Sequence, residues 1–245
     1  MPPSEGKGPG AAGDNVFTGE AAAHYDGWFT TPAGRYARQL EDELLTRAAG
    51  EGAGRLVLDV GCGTGMHLPL FAAGGGRGVG LEPSRDMLAR ARAKRREASI
   101  YFVQGRAEAL PFRDGTFDLV TFITSLEFVA NDKAALAEAA RVCRGRLVVA
   151  VLNAHSLSAA RRRIKRNLKD TLFRAVRFYE PAELRRALRP WLAGPARLAS
   201  TLHFFPLYYA GLDRTLSSLD RWLTRRGWLL GAFLVAAGDI KRDTT

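Results

Sequence analysis

Between residues 55 and 153, short apolar runs alternate with segments whose apolar residues recur every three or four positions, and this alternation constrains the fold most strongly. Apolar runs that end in turn residues are typical of strands buried on both faces of a parallel sheet. The intervening segments predict helices, so the chain is expected to adopt an α/β fold with a doubly wound, mostly parallel sheet. The predicted strands are RLVLDV (55–60), RGVGLE (77–82), SIYFVQG (99–105), FDLVTFIT (117–124) and RLVVAVLN (146–153).

The longest nearly apolar stretch is WLLGAFLVAAG, residues 228–238. It is well short of the roughly 20 apolar residues that a bilayer-spanning helix needs, and the first residues contain no apolar core of the secretory type. The sequence therefore predicts a cytoplasmic protein. Its two cysteines, Cys62 and Cys143, fall within segments that are predicted to be buried and are expected to be free thiols.

The formal net charge of +11 is concentrated in residues 141–197, which contain fifteen Lys/Arg and three Asp/Glu, while the remainder sums to −1. A local basic field of this kind favours an anionic partner such as a membrane surface, a nucleic acid or an acidic small molecule. A solvated, arginine-rich surface without a partner explains the same composition. Composition alone leaves both interpretations open.

Three glycines, Gly61, Gly63 and Gly65, directly follow the first predicted strand in the stretch LVLDVGCGTG. Ligands of open parallel sheets bind beyond the carboxyl ends of the strands, and glycine there allows the backbone to approach them closely. Glu82 ends the second predicted strand, where a carboxylate can accept hydrogen bonds from both hydroxyls of a ribose. Because the glycine spacing differs from the G-x-G-x-x-G dinucleotide motif, the two features together indicate an adenosine-like ligand.

The motifs DVGCGTG, GLEPS, GRAEALPFRDGTFDLV and TSLEFV together resemble the S-adenosylmethionine-dependent methyltransferases of class I, the seven-stranded Rossmann-like type. The resemblance runs from about residue 55 to 152 and is strongest to the bacterial group that acts on small molecules, quinones and lipids. It implies a sheet with the strand order 3-2-1-4-5-7-6 and the cofactor S-adenosylmethionine. YDGWFTTPAGRY, residues 25–36, is similar to the N-terminal segment that some of these enzymes fold over the cofactor.

The predicted organisation is one methyltransferase domain over residues 15–245, with an N-terminal helical lid and a helical insertion after the fifth strand. The Gly/Pro-rich tail before it, residues 1–14, is expected to be disordered. The expected parts of the domain are N-terminal helices and lid (15–50), a cofactor-binding core (55–153), substrate-cap helices with the sixth strand (154–230) and the last strand (231–240).

The resemblance assigns roles in the site to particular positions. Asp59 would orient the amino group of the cofactor, Glu82 would take the ribose hydroxyls, and Thr124 or Ser125 would line the methyl-donor end. Arg106 stands where the family often has an aspartate beside the adenine; a guanidinium cannot accept a hydrogen bond, although it can stack on the ring. The implied cofactor-binding residues are Tyr25, Asp59, Gly61, Cys62, Gly63, Glu82, Pro83, Met87, Arg106, Ala107 and Thr124.

Methyl transfer would proceed by in-line displacement, with proximity and orientation supplying much of the acceleration. A general base is needed only where the acceptor is protonated and weak. His203 is predicted to be a packed core residue in an apolar strand, and the scattered histidines and cysteines do not indicate a metal site. The candidate bases are His24 and Tyr25 in the lid, His67 at the first helix of the core, Glu127 after the fourth strand and His155 after the fifth.

The leading functional hypothesis is a methyltransferase for a small-molecule or lipid-like acceptor. The basic helix SLSAARRRIKRNLKD has an apolar stripe at Leu157, Ile164 and Leu168, which either rests on an anionic membrane or packs on the sheet. Two alternatives are an RNA or protein methyltransferase that uses the basic segment 141–197, and a non-catalytic cofactor-binding interaction module. Nucleic acid is disfavoured because no added RNA-binding module is recognised, and the oligomeric state stays open.

Overall fold

The computed structural model describes residues 17, 19, 22, 25–164, 176–208 and 213–241. The predicted tail, residues 1–14, lies outside these ranges, and so do His24 and the end of the predicted basic helix with Leu168. The described residues contain a seven-stranded sheet with the order β3-β2-β1-β4-β5-β7-β6, which confirms the predicted order. The strands are β1 Leu56–Val60, β2 Arg77–Glu82, β3 Ile100–Gln104, β4 Phe117–Ile123, β5 Cys143–Leu152, β6 Arg197–Thr201 and β7 Phe233–Asp239.

Helices connect most of the strands, and side-chain caps fix where several of them begin. Ser84 accepts a hydrogen bond from Met87 N, Asn131 accepts one from Ala134 N, and Thr31 caps the long N-terminal helix. The helices are α1 Pro32–Ala49, α2 Leu68–Ala72, α3 Arg85–Lys94, α4 Asp132–Val142, α5 Leu157–Ile164, α6 Pro181–Leu188, α7 Phe205–Tyr208 and α8 Asp213–Arg225, with 3₁₀ helices at Tyr25–Thr30 and Leu126–Phe128.

Apolar side chains cover both faces of the sheet. One face packs against α1, and the other packs against α4 and α6. Adjacent residues of β5 face opposite ways, since Val148 joins the α1 side and Val149 joins the α4 side. Burial on both faces explains why the central strands read as continuous apolar runs. No helix among the described residues combines the length and the apolar content that crossing a bilayer requires.

The strand β7 runs antiparallel to both of its neighbours, whereas β1 to β5 are parallel. The carboxyl ends of the parallel strands form one edge of the sheet, here termed the carboxyl edge. Phe233, the first residue of β7, pairs with Leu152 at the end of β5. The loop that enters β7, residues 226–232, therefore lies at the carboxyl edge.

Two predicted strand boundaries are wrong, and backbone geometry gives the reason. β5 begins at Cys143 instead of Arg146, since Gly145 lets the chain pass so close that a Cβ there would lie 2.2 Å from Asp118 O. β6 ends at Thr201, although the stretch RLASTLHFF predicts a strand over residues 197–205, because Leu202 takes a φ of +65°, which interrupts an extended strand. His203 is thus buried, as predicted, but it lies in the turn beyond β6 and not in a strand.

Candidate functional site

A cavity opens at the carboxyl edge, over the ends of β1, β2 and β4. All eleven residues that the sequence resemblance assigned to the cofactor line this one cavity. Two of the candidate bases, Tyr25 and His67, line it as well. The structure therefore gathers residues that are up to about a hundred positions apart into one concave site of the kind that ligands occupy.

The glycine-rich loop lies against the cavity with a backbone that a side chain would obstruct. Gly61 has a φ of +71°, and a Cβ there would lie 2.5 Å from the Cβ of Ser125. Gly63 has a φ of +56°, in the same left-handed region that favours glycine. The loop therefore lines the cavity with backbone at Gly61 and Gly63, as the sequence predicted.

Glu82 is buried at the end of β2, where backbone donors fix its carboxylate. Its Oε2 accepts a hydrogen bond of 2.9 Å from Gly63 N, and its Oε1 accepts one of 3.0 Å from Ser84 N. Burial raises the pKa of Glu82, although the two backbone hydrogen bonds oppose that shift. Because Ser84 supplies the cap of α3, Glu82 is not that helix's cap, and the remaining lone pairs of Glu82 are available to ligand hydroxyls.

Asp59 lies beneath the glycine loop and is 1% exposed. Its Oδ1 accepts a hydrogen bond of 2.7 Å from Thr121 Oγ1 on the neighbouring strand. Burial raises the pKa of Asp59 to about 6, because loss of water outweighs the hydrogen bond from Thr121. A buried carboxylate with few internal donors suits a cationic ligand group such as an ammonium.

The opposite wall of the cavity is formed by residues from α3 and from the loop after β3. Met87 and Pro83 contribute apolar surface, and Ala107 contributes a small, buried side chain. Arg106 also lines this wall, and its Nε lies 3.7 Å from an oxygen of Glu108. This arrangement can hold a flat ring between aliphatic groups and a guanidinium.

Aromatic residues from the N-terminal segment cover the cavity. The ring of Phe17 lies 5.6 Å from that of Tyr25 and 5.2 Å from that of Phe128, edge to face in both pairs. Asp26 fastens this segment to the glycine loop, since Thr64 Oγ1 donates to it at 2.8 Å and Lys94 forms an ion pair with it. The resulting lid closes one side of the site.

Among the candidate bases, His67 has the most organised surroundings. Its Nδ1 lies 3.2 Å from Asp42 Oδ1, and Arg38 Nε donates to Asp42 Oδ2 at 2.7 Å. Arg38 also donates to Met66 O, which fixes the guanidinium beside the loop. Burial opposes ionisation of Asp42, but the hydrogen bonds from His67 and Arg38 hold its pKa below the usual range. The result is a histidine oriented by a carboxylate inside the cavity.

The other candidate bases are placed differently. Glu127 is buried and lies outside the cavity lining; its Oε1 accepts from Leu152 N at 2.7 Å, and its Oε2 has no hydrogen-bond partner among the described residues. Burial raises the pKa of Glu127 to about 8, so the carboxyl is protonated at neutral pH. His155 is exposed and does not line the cavity. For Tyr25, burial and nearby carboxylates raise the pKa above its usual range.

Sequence reasoning missed several residues of the site. Phe17 and Phe128 lie on segments that only the folded chain brings together, and no local pattern marks them. Asp42 sits on a polar position of α1 and gave no signal until its contact with His67 was visible. Thr124 takes a φ of +46°, which a β-branched residue rarely adopts. Backbone strain of this kind clusters at functional sites.

Comparison with known proteins places this core in a wider group. Residues 58–151 match the family model described as "Methyltransferase domain". The chain is 44% identical over 109 residues to a demethylmenaquinone methyltransferase from Renibacterium salmoninarum. The aligned residues cover 44% of this chain and 45% of that relative. It is 35% identical over 155 residues to a ubiquinone/menaquinone biosynthesis C-methyltransferase from Roseobacter denitrificans, covering 56% and 62% of the two chains. The chain spans about half the length of the curated relatives it matches.

Solved structures share the fold over nearly the whole chain. A SAM-dependent methyltransferase from Thermotoga maritima superposes with a TM-score of 0.70 at 23% identity, covering 93% of this chain and 99% of that one. Magnesium protoporphyrin IX methyltransferase from Synechocystis, with bound SAH, gives a TM-score of 0.64 at 16% identity, covering 94% and 98%. At these identities the likeness establishes the architecture.

Proposed function

We propose that this chain, whose residues 58–151 match the model described as "Methyltransferase domain", transfers a methyl group from S-adenosylmethionine to a small quinone-type or lipid-like acceptor. The observation that carries the proposal is the single cavity at the carboxyl edge, in which the glycine loop, Asp59 and Glu82 converge. Fold alone would not suffice, because one fold serves many activities.

The residues of the cavity fit the proposed cofactor. The glycine loop leaves space that a Cβ at Gly61 would remove, and Glu82 is already oriented by two backbone donors to accept from a pair of hydroxyls. Asp59 would hold the ammonium group, and Met87 with Ala107 would hold the adenine. When bound, S-adenosylmethionine supplies a methyl group that is already activated on a sulfonium. The chain's residues then have to bind, orient and exclude water, which is where most of the acceleration arises.

We infer that His67 is the general base that removes a proton from the substrate that receives the methyl group. Asp42 can only accept a hydrogen bond when ionised, so it selects the tautomer in which Nδ1 of His67 carries the hydrogen. The other ring nitrogen, Nε2, then carries no hydrogen and can take up a proton inside the cavity. An acceptor that carries a ring hydroxyl becomes more nucleophilic as this proton is withdrawn, and a positioned base contributes roughly 10²–10⁴-fold to such steps. Glu127 and His155 are less suitable, since neither lines the cavity.

The names of the relatives support an aromatic acceptor. Two of them are named for methylation in menaquinone or ubiquinone biosynthesis. Phe17, Phe128, Val129 and Ile123 add apolar and aromatic surface to the same cavity, which suits a flat, apolar ring. We also infer a cytoplasmic location and peripheral contact with an anionic membrane, both of which stay predictions from the sequence.

Calorimetric titration tests the cofactor assignment. S-adenosylmethionine and S-adenosylhomocysteine are each titrated into the full chain, into Glu82→Ala and into Glu51→Ala, a control that removes an exposed carboxylate away from the cavity. We expect both compounds to bind the natural chain and the control alike, and to bind Glu82→Ala at least tenfold more weakly. NAD should not bind. A folded chain that binds neither compound would refute the proposal and favour the non-catalytic interaction module.

Transfer assays separate the acceptors and test the base. Labelled S-adenosylmethionine is offered with a short-chain naphthoquinol, with RNA and with a protein extract; label in RNA or protein alone would support the alternative enzyme class. With the quinol, His67→Asn should lower kcat by 10² or more, while the exposed control His155→Asn stays within twofold. Asp42→Asn should lower kcat less and shift the pH–rate profile. Equal activity of His67→Asn and the natural chain would rule out His67 as the base.

A further inference from the structure

Most of the exposed large apolar side chains among the described residues fall within residues 157–230. Seven are found among the described residues, and only Tyr101, on the edge strand β3, lies outside residues 157–230. Scattered single residues of this kind are normal on a protein surface, but a concentration of them marks an interaction site. The other six are Leu157, Leu207, Leu219, Trp222, Trp228 and Leu230.

Four of the six lie on α8 and in the loop that follows it. Leu219, Trp222 and Arg226 are spaced by three and four residues, so they share one face of the helix. The helix ends in a Schellman motif at Gly227, with Gly227 N donating to Thr224 O and Trp228 N donating to Leu223 O. This ending places Trp228 within one turn of Trp222. Residues 219, 222, 226, 228 and 230 are here termed the tryptophan surface.

The tryptophan surface is held rigidly at the carboxyl edge of the sheet. Asn153, directly after β5, donates from Nδ2 to Leu229 O at 2.9 Å and to Gly231 O at 2.8 Å. These bonds fix the backbone on both sides of Leu230. Trp222 and Trp228 are nevertheless 47% and 51% exposed, so the loop is anchored while its largest side chains face solvent. In the sheet, β7 is two strands from β4, a spacing of about 10 Å.

The charge around the tryptophan surface is positive. On the surface itself, Arg225 and Arg226 are exposed, and the guanidinium of Arg226 lies 5.2 Å from the centre of the Trp222 ring. Asp220, the carboxylate nearest in sequence, is fully buried. Among described residues 216–230 no acidic side chain is exposed.

We propose that the tryptophan surface docks this chain on an anionic lipid bilayer, with Trp222, Trp228 and the two leucines entering the interface and Arg225 and Arg226 contacting lipid phosphates. Tryptophan and leucine beside arginine is the composition of interfacial, non-spanning membrane contacts. The arginines would also suit the phosphates of a nucleic acid, but a nucleic acid would leave the leucines exposed to water. The inference concerns binding alone and stands whether or not the proposed methyl transfer is correct.

Vesicle binding by the full chain tests the proposal. Co-sedimentation and the wavelength of tryptophan emission are measured with phosphatidylcholine vesicles and with vesicles that also contain phosphatidylglycerol. We expect binding and a blue shift with the anionic vesicles, weakened by added salt. Trp222→Ala/Trp228→Ala should lose at least tenfold in partitioning, whereas Tyr101→Ala, an exposed aromatic on the opposite edge of the sheet, should not change it.

Matched charge variants separate a specific surface from net charge. Arg225→Gln/Arg226→Gln should weaken binding severalfold more than Arg77→Gln/Arg113→Gln, which replaces two exposed arginines at the start of β2 and in the loop before β4. Equal losses in the two variants, or an unchanged affinity of the double tryptophan variant, would overturn the proposal. So would binding to RNA or self-association that requires the tryptophans in the absence of vesicle binding. Unchanged S-adenosylhomocysteine titration of each variant shows that it is folded and keeps the two proposals separable.

Discussion

The two acids of the cavity differ in what holds them. Backbone amides of Gly63 and Ser84 fix Glu82, whereas Asp59 receives only the hydroxyl of Thr121 among the hydrogen bonds described above. Asp59 is also deeper, and its pKa is raised to about 6. Its charge is therefore lost as the pH falls through about 6, and a cationic ligand group would keep it ionised.

Cofactor affinity should depend on pH through Asp59. Below about pH 6 the ionised fraction of this carboxyl drops up to tenfold per pH unit, so affinity for S-adenosylhomocysteine should fall by a similar factor. Above pH 7 it should be constant. Titration calorimetry from pH 5 to 8 measures this, and Asp59→Asn should bind more weakly and lose most of the dependence. A natural chain with equal affinity at pH 5 and pH 7 would exclude a charged role for Asp59.

Glu127 should make the folded chain less stable as the pH rises. Its pKa is about 8 in the fold against an ordinary 4.5, so between those values the unfolded chain releases a proton that the folded chain keeps. The free energy of unfolding then decreases with pH, by up to about 1.4 kcal/mol per unit for this group. Glu127→Gln should flatten the decrease, measured by urea unfolding from pH 5 to 8. Glu51→Gln is the exposed control, and parallel curves for Glu127→Gln and the natural chain would contradict the account.

Single residues show what the sequence could and could not reveal. The glycine loop and Glu82 were predictable because their roles depend on the backbone next to them. Phe17, Phe128 and Asp42 were not, because each reaches the site through contacts that span the chain. Glu127 and His155 follow strand ends, as bases at a carboxyl edge often do, yet their side chains lie away from the cavity. The positions of Glu127 and His155 in the sequence predicted that they follow strands at the carboxyl edge. Packing determines where their side chains point, and the sequence did not reveal it.

At the scale of elements, β6 and α8 are joined by a buried polar cluster. Asp220 on α8 accepts hydrogen bonds from Thr201 Oγ1, from Leu202 N and from the backbone and ring of His203. The carboxylate thus satisfies the backbone N–H groups of Leu202 and His203, where the chain leaves the strand conformation. The predicted strand over this region was too long because apolar composition does not register a turn that a distant carboxylate stabilises.

Removing the charge of Asp220 should therefore destabilise the fold. An amide has a single oxygen with which to accept, so at least one of these buried donors loses its partner, and a buried donor left unpaired costs about 1–3 kcal/mol. Asp220→Asn is compared with Asp114→Asn, which removes an exposed partner of Arg141 and should cost less than about 1 kcal/mol. Urea unfolding followed by circular dichroism gives both values. Similar costs for the two variants would show that the cluster does not hold α8 to the sheet.

At the scale of the whole molecule, one ligand should stabilise several elements at once. The cavity is lined from β1, β2, β4, α3 and the lid. At about 100 times Kd, S-adenosylhomocysteine should add about 2.7 kcal/mol to the free energy of unfolding. For a chain of this size, that corresponds to a rise in Tm of about 5–10 °C.

Glycine variants provide the comparison for that thermal shift. Gly61→Ala should lose most of it, because the added Cβ meets Ser125, while Gly194→Ala, where a Cβ meets nothing, should retain it. Differential scanning calorimetry of the three chains measures the shift. A full shift in Gly61→Ala would mean that the glycine loop does not form the binding surface.

The order of the sheet was the part of the whole molecule that the sequence anticipated best, since strand–helix alternation and crossover handedness admit few arrangements. The exposure of Trp222 on α8 could not be predicted, because only the fold tells which side chains of an amphipathic helix stay uncovered.

The reversed direction of β7 has a consequence for how such a protein diversifies. Since β7 starts where β5 ends, a loop that lies about a hundred residues after the last cofactor motif is brought to the same edge as the glycine loop. Insertions or exchanges in that loop can change what the chain meets at its surface while the segments that hold the nucleotide stay as they are. The loop before β7 can therefore change in sequence independently of the segments that hold the nucleotide, although both lie at the carboxyl edge.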